Sequence, residues 1–179
     1  MRYIIERFAV GHVNNYMYLV TNVTSKEGII IDPAWDLEKI TYSIKNTDTK
    51  LRGILLTHSH QDHTNLADTI SRSYQCPVYM SKKEIEYYKF RCSNLVPLDD
   101  MQVITIGDSL FTGDTVFIRS CGFCNCKGSN PDEMYESVNK IKIYAQNGGR
   151  IYPGHYFKDD FEYEKDFLKR NLYFHIQNK

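Results

Sequence analysis

Four side chains that commonly bind divalent metal ions lie within one hexapeptide, at His58, His60, Asp62 and His63. Imidazole nitrogens and carboxylate oxygens are usual ligands of zinc and related ions. Four such side chains in six residues cannot all point the same way from a regular helix or strand. On a turn they can converge, with His58 and His60 on one side and the other pair opposite. This arrangement favours two adjacent metal ions over one closed tetrahedral site.

The alternative is a polar loop whose histidines cap a helix or bond to the backbone. The protein has only six histidines, and three of them lie in this hexapeptide. Such a concentration of a scarce residue favours the metal-binding interpretation.

The sequence around the hexapeptide predicts how it is positioned. Residues 53–57 form an apolar run that begins with glycine, which is typical of a buried strand. Residues 65–74 carry Leu66, Ala67 and Ile70 at helical spacing. The hexapeptide is therefore predicted to be the turn between a strand and a helix, a place where open α/β sheets bind ligands.

The remaining pattern predicts an α/β protein with a β-rich start followed by alternating elements. We expect strands at 1–9, 16–20, 28–33 and 78–80, and helices at 37–45, from Ser81 to about Tyr88, and over 159–177. Ser81 and Glu84 have the spacing of a capping box, in which each side chain would bond the backbone of the other residue.

Two further candidate ligands lie downstream. Asp114 follows Gly113 between two apolar runs, and His155 follows a Pro-Gly turn at the end of a predicted strand. Taken separately, an aspartate in a turn is usually a turn former, and a histidine after Pro-Gly usually lies in a loop. In this order after the hexapeptide, the two residues would complete a single metal-binding constellation.

Length and composition bound the class of protein. A chain of 179 residues is expected to form one domain, 1–179. Lysine and arginine together number 22, as do aspartate and glutamate, so nothing in the charge favours nucleic acid. No apolar stretch approaches the ~20 residues of a membrane span. Five irregularly spaced cysteines suit a reducing cytoplasm. The oligomeric state is not indicated.

Together, the hexapeptide, Thr112-Gly113-Asp114 and Tyr152-Pro153-Gly154-His155 resemble the metallo-β-lactamase superfamily, especially its glyoxalase-II-like hydrolases. The resemblance implies an αββα sandwich and two metal ions, zinc or else iron or manganese. The resemblance also assigns roles to the matching residues. His58 and His60 would bind the first metal, Asp62, His63 and His155 would bind the second, and Asp114 would bridge the two. Asp32 would be a carboxylate that supports the site without binding a metal.

A narrower resemblance concerns residues 110–117, 120–124 and 132–137. These segments are similar to the acyl hydrolases found with trans-acyltransferase polyketide synthases. That resemblance implies cleavage of an acyl thioester, with an acyl carrier protein or another acyl thioester as the partner. The nucleophile would be a metal-bound hydroxide, because zinc lowers the pKa of water from 15.7 to about 7. Asp62 would orient the hydroxide and accept its proton.

The sequence departs from the family in one respect. Family members carry a further histidine, the third ligand of the first metal, but this chain has no histidine between His63 and His155. Near Ile106 and Gly107 the family pattern has roughly 15 to 25 additional residues. Three explanations are open: residues absent from the printed chain, a natural or engineered deletion, or a weak first metal. His12 could substitute, although a solvated loop histidine is the simpler interpretation.

Two functional alternatives follow from this departure and from the shared chemistry. The protein could be a non-catalytic relic of the fold that binds a carrier protein through an incomplete metal site. Alternatively, the same nucleophile could act on a lactone or another ester. Separately, Cys121, Cys124 and Cys126 could be a soft-metal or redox site, but they lack a fourth ligand at zinc-finger spacing.

Overall fold

The computed structural model describes residues 2–99, 104–118, 120–125 and 128–156. The chain divides into two compact units, Met1–Gln102 and Val103–Lys179, here called the first and the second unit. The expectation of one domain over 1–179 stays a prediction. The helix expected over 159–177 lies outside the described residues, as does Cys126.

A six-stranded sheet forms the first unit. Its strands lie side by side in chain order: β1 (Tyr3–Val10), β2 (Asn15–Asn22), β3 (Glu27–Ile31), β4 (Lys50–Leu55), β5 (Val78–Ser81) and β6 (Leu95–Leu98). The pairs β1–β2 and β2–β3 are antiparallel, whereas β3 to β6 run parallel. The parallel strands therefore bring their carboxyl ends to one edge of the sheet.

Four helices complete the first unit: α1 (Leu37–Asn46), α2 (Gln61–Thr64), α3 (Ala67–Tyr74) and α4 (Lys82–Tyr88). Each of the buried isoleucines Ile40, Ile54 and Ile70 is at most 1% exposed. They belong to a core cluster that joins helices to the sheet. Burying a side chain of this size contributes about 1.5–3 kcal/mol, so this cluster holds the sheet edge in place.

The predicted order of elements in the first unit is confirmed, but two details were wrong. The hexapeptide is not a turn throughout, because Asp62 and His63 already lie in the short helix α2. The expected capping box does not form: Ser81 precedes α4 at the capping position, yet its side chain makes no capping hydrogen bond. The strand β6 was not anticipated, since Pro97 lies inside it. A strand at the end of the sheet order tolerates proline, because one of its sides needs no ladder hydrogen bonds.

The second unit contains β7 (Ile104–Ile106), β8 (Ser109–Gly113), β9 (Val116–Phe117), β10 (Ser120–Cys121), α5 (Pro131–Gln146) and β11 (Arg150–Pro153). Its three-stranded sheet has the order β11-β8-β7, and β9 pairs with β10. Helix α5 was not predicted, although its start is marked by Asn130, whose side chain accepts from the Asp132 amide, and by proline at the first helical position.

The segment where the family pattern is longer forms a tight hairpin in this chain. Ile106 pairs with Ser109, so only Gly107 and Asp108 connect β7 to β8. Gly107 adopts a φ of +61°, a left-handed conformation that glycine accepts without steric cost. The shortened segment therefore closes locally without disturbing the pairing of β8.

None of the helices within the described part of the chain is both long enough and apolar enough to span a bilayer.

Candidate metal centre

The first half of the candidate centre lies where the parallel strands β3 and β4 end. Asp32 follows β3 and Thr57 lies two residues beyond β4. The Asp32 carboxylate accepts hydrogen bonds from the Thr57 amide at 2.8 Å and from the Thr57 hydroxyl at 2.6 Å. Asp32 has a φ of +52°, which aspartate tolerates better than most residues. This pairing of strand ends fixes the backbone from which the hexapeptide starts.

Asp32 also determines which nitrogen of His63 is available. The Nδ1 atom of His63 lies 3.1 Å from Asp32 Oδ2, and both side chains are buried, at 0% and 3% exposure. Because a carboxylate can only accept, Nδ1 carries the proton and Nε2 presents its lone pair. Asp32 therefore orients His63, which is compatible with the bracing role that the resemblance implies, and both of its carboxylate oxygens accept hydrogen bonds.

The same argument orients His58. Its Nδ1 lies 3.0 Å from the Thr57 hydroxyl oxygen, whose single hydrogen already bonds Asp32. His58 Nδ1 must therefore donate, which leaves Nε2 as the basic nitrogen. In both histidines, Nε2 is therefore the nitrogen whose lone pair is available to a metal ion.

The three imidazoles of the hexapeptide lie together. The ring centroids of His58 and His60 are 4.5 Å apart, and those of His58 and His63 are 4.3 Å apart. The ring of Tyr88, from α4, lies with its centroid 6.4 Å from that of His60. The structure thus brings together all three predicted histidines of this half.

Asp62 is held by a residue that sequence reasoning missed. Its Oδ2 atom lies 3.7 Å from His63 Nε2 and accepts a hydrogen bond at 3.0 Å from the side-chain amide of Asn15. Asn15 begins β2 and is only 1% exposed. The sequence signal at this position is the asparagine pair 14 and 15, which is equally typical of a turn.

Glu84 also has a role other than the one predicted for it. Its carboxylate accepts a hydrogen bond at 3.0 Å from the backbone amide of Ser59, inside the hexapeptide. The interaction joins α4 to the loop that carries His58 and His60. Glu84 therefore stabilises the ligand loop rather than its own helix start.

The second half of the candidate centre lies at the ends of β8 and β11. These strands are parallel, with Pro153 opposite Gly113, and the Gly154 amide donates to the Gly113 carbonyl at 2.8 Å. As a result, the next side chains, Asp114 and His155, lie 3.3 Å apart, from Oδ1 to Nε2. The ring of Phe117 meets the imidazole of His155 edge to face, at 5.6 Å between centroids.

Gly122 permits the loop that follows to approach Asp114 closely. A Cβ atom at position 122 would collide with the backbone carbonyl oxygen of Asp114. The Gly122 amide donates to the Thr115 carbonyl at 3.2 Å. The absence of a side chain at this position thus sets the path of the Asp114 backbone.

The donor sets in both halves fit divalent metal ions. Ligand atoms bound at 2.0–2.2 Å to one tetrahedral ion lie about 3.3–3.6 Å apart. The His155–Asp114 distance of 3.3 Å and the His63–Asp62 distance of 3.7 Å are close to that range. His12 belongs to none of the clusters that could hold a metal among the described residues, and lies against Trp35 instead, at 6.5 Å between ring centroids.

No cysteine among the described residues belongs to a group that could hold a metal ion. Cys76, Cys92 and Cys124 are free thiols. Burial, and then the nearby Asp68 carboxylate, raise the pKa of Cys92 to about 11, and burial also raises the pKa of Cys76. Thiols with raised pKa values stay protonated near neutral pH and are poor nucleophiles and ligands.

Comparison with known proteins identifies relatives of this arrangement. Residues 10–97 match the family model described as the metallo-beta-lactamase superfamily. The chain is 41% identical over 188 residues to the probable polyketide biosynthesis zinc-dependent hydrolase PksB of Bacillus subtilis, covering 92% of this chain and 84% of that protein. The corresponding hydrolase BaeB of Bacillus velezensis is 38% identical over 189 residues, covering 93% and 84%.

More distant similarities support the same fold. A hydroxyacylglutathione hydrolase of Dictyostelium discoideum is 27% identical over 188 residues, covering 88% of this chain and 68% of that protein. The crystal structure of ETHE1 from Myxococcus xanthus superimposes with a TM-score of 0.76 at 20% identity, covering 97% of this chain and 89% of the other. The predicted fold class, α/β with the metallo-β-lactamase fold, is thereby confirmed.

The alignment with PksB also bears on the shortened segment. It spans 188 residues but covers 92% of a chain of 179, which is about 165 residues. About 20 aligned positions of the relative therefore have no counterpart in this chain. This number is similar to the roughly 15 to 25 additional residues of the family pattern.

Proposed function

The chain belongs to the metallo-β-lactamase superfamily, and on that premise we propose that it is a metal-dependent hydrolase that cleaves an acyl thioester. The substrate class that we propose is the acyl thioester of an acyl carrier protein in polyketide biosynthesis. The names of PksB and BaeB as zinc-dependent hydrolases of that process support the proposal.

The observation that carries the proposal is the orientation of His63. Its Nδ1 atom faces the buried carboxylate of Asp32, and its Nε2 atom faces the carboxylate of Asp62. Histidines that bind metal ions characteristically donate their other ring N–H to a carboxylate or carbonyl. A histidine used only for packing would not need this arrangement or two neighbouring imidazoles.

We propose that the chain holds two metal ions, most simply zinc. The ligands would be His58, His60, Asp62, His63, Asp114 and His155. Bound zinc would supply hydroxide at neutral pH and polarise the substrate carbonyl. The absent family histidine would leave the first of the two sites the weaker one.

Asp62 has the central chemical role in this proposal. Its carboxylate would orient the attacking water and accept its proton while the new carbon–oxygen bond forms at the acyl carbon. The carbon–sulfur bond then breaks and the thiol leaves as a thiolate. Because a thiol has a pKa of about 8.5, it departs without a strong general acid.

The decisive test replaces Asp62 with alanine. We expect loss of thioester hydrolysis by at least about 100-fold, since general bases contribute about 10²–10⁴-fold, with little change in circular dichroism. The control is Gln61→Ala, an exposed neighbour in α2 that we assign no role. Hydrolysis retained in Asp62→Ala would refute the assignment.

Substrate class and rival function need separate measurements. Thioesters of acyl carrier protein, coenzyme A and glutathione, together with a lactone, should be compared, and we expect the carrier thioester to have the highest kcat/KM. The rival is the non-catalytic carrier-binding relic, which the absent family histidine favours. Metal analysis separates the two: about two zinc ions per chain support the hydrolase, and one or none supports the relic.

A further inference from the structure

The side chain of Asn15 joins two groups that have opposite hydrogen-bonding requirements. The indole N–H of Trp35, which can only donate, lies 3.3 Å from Asn15 Oδ1. The carboxylate of Asp62, which accepts when ionised, lies 3.0 Å from Asn15 Nδ2. These two partners fix which end of the amide is oxygen and which is nitrogen.

The amide nitrogen also faces the second ligand of the pair. Asn15 Nδ2 lies 3.3 Å from Nε2 of His63, the nitrogen that Asp32 leaves unprotonated. Asn15 therefore contacts Asp62 and His63 at the same time, from a strand 47 residues away in the sequence. Asn15 is only 1% exposed, so its side-chain amide is shielded from water.

Trp35 is 44% exposed, and two contacts hold it on the far side of Asn15. Its backbone amide donates to the Asn65 side chain at 3.0 Å, and its φ of +67° is unusual for an aromatic residue. Gly11 lies directly against the indole, where any Cβ atom would collide with the ring. The β1–β2 turn, Trp35 and the end of α2 thus form one connected support for Asn15.

We propose that Asn15 is a positioning residue that sets the rotation of the Asp62 carboxylate and so raises the affinity of the second metal site. An unsupported aspartate at a helix start can rotate about its last torsion, and it would lose that freedom when a metal binds. The hydrogen bond from Asn15 restricts the rotation of the Asp62 carboxylate before a metal binds, because the hydrogen bond from the Trp35 indole fixes the orientation of the Asn15 amide. This inference rests on the proposed function only in taking Asp62 and His63 as ligands.

The test replaces Asn15 with leucine, which has a similar shape but neither donor nor acceptor. The matched control is Thr21→Val on the same strand, which removes a buried 2.8 Å hydrogen bond to Thr49 far along β2. Zinc affinity is measured by competition with a chromophoric chelator, and stability by thermal melting. We expect both variants to melt at lower temperature, but only Asn15→Leu to bind zinc about 10- to 100-fold more weakly.

A second variant tests the hydrogen bond at the Oδ1 end of the Asn15 amide separately from the bond at its Nδ2 end. Trp35→Phe keeps an aromatic ring but removes the indole N–H. The Asn15 amide then loses the hydrogen bond that fixes its orientation but can still donate to Asp62. We expect a smaller loss of zinc affinity than in Asn15→Leu, of about 2- to 10-fold. With a thioester substrate, the loss at saturating zinc should fall on kcat rather than KM.

The outcomes distinguish this inference from the proposed function. Zinc affinity of Asn15→Leu within about twofold of the wild type would overturn the inference, as would an equal loss in Thr21→Val. A wild-type protein that binds no zinc would overturn it as well. Tight zinc binding that Asn15→Leu weakens, in a protein that hydrolyses no thioester, would support the positioning role and refute only the proposed reaction.

Discussion

The candidate ligands of the first unit and those of the second unit, called here the first and the second half, are positioned by different means. In the first unit, side chains support side chains: Asp32 holds His63, Asn15 holds Asp62, and Glu84 holds the Ser59 amide. In the second unit, the backbone does the positioning, since the parallel register of β8 and β11 brings Asp114 and His155 to 3.3 Å.

This difference determines how each half should respond to mutation. A ligand loop supported by side-chain hydrogen bonds is sensitive to removal of single polar groups, because their partners are left buried. A pair placed by strand register is sensitive to changes that displace the backbone. The three substitutions below test this contrast, from the largest expected effect to the smallest.

Asp32→Ala should have the largest effect. It leaves the Thr57 amide, the Thr57 hydroxyl and His63 Nδ1 without their buried acceptor, so we expect the free energy of unfolding to fall by about 3 kcal/mol. Zinc affinity should fall as well, by about 100-fold. Urea unfolding and chelator competition measure the two effects.

Asp32→Asn provides the comparison for this substitution. Asparagine tolerates the positive φ of position 32 and keeps the side-chain shape, so its difference from the wild type isolates the lost charge and hydrogen bonds, whereas alanine adds backbone strain. We expect an intermediate loss. If Asp32→Ala cost less than 1 kcal/mol, side-chain bracing would not be what holds the first half.

Gly122→Ala tests the second half. The added methyl group would collide with the Asp114 carbonyl oxygen, so the backbone carrying Asp114 must shift. We expect about 10-fold weaker zinc binding, comparable to loss of an outer hydrogen bond. The control is Gly107→Ala in the same unit, where φ is positive but the Cβ atom meets nothing within 4 Å. Equal zinc affinity in the two variants would contradict backbone positioning by Gly122.

Glu84→Ala should have the smallest effect. It removes the acceptor of the Ser59 amide, a partly buried hydrogen bond worth about 1 kcal/mol. We expect a modest drop in melting temperature and a two- to fivefold loss of zinc affinity. Glu86→Ala, at an exposed position on the same helix, should change neither quantity. A larger effect at position 86 would mean that helix charge, not the bond to Ser59, is responsible.

Most of the first unit could be predicted from its sequence. The apolar runs at β3 and β4 and the helical spacing in α3 reflect burial and periodicity, which are local properties. Helix α5 was missed although Asn130 and the following proline marked its start, because its apolar positions form a weak pattern. The Pro97 strand was missed because proline argues against a strand unless the strand is at an edge.

The sequence by itself determined which side chains are candidate metal ligands, since the residue types of the hexapeptide, Asp114 and His155 are visible without any fold. Only the tertiary structure decided which side chains support them. Glu84 bonds Ser59 instead of capping its own helix, and Asn15 reaches Asp62 from 47 residues away. The physical reason is that a polar side chain has several possible partners of similar energy, and the packing of the strands selects among them.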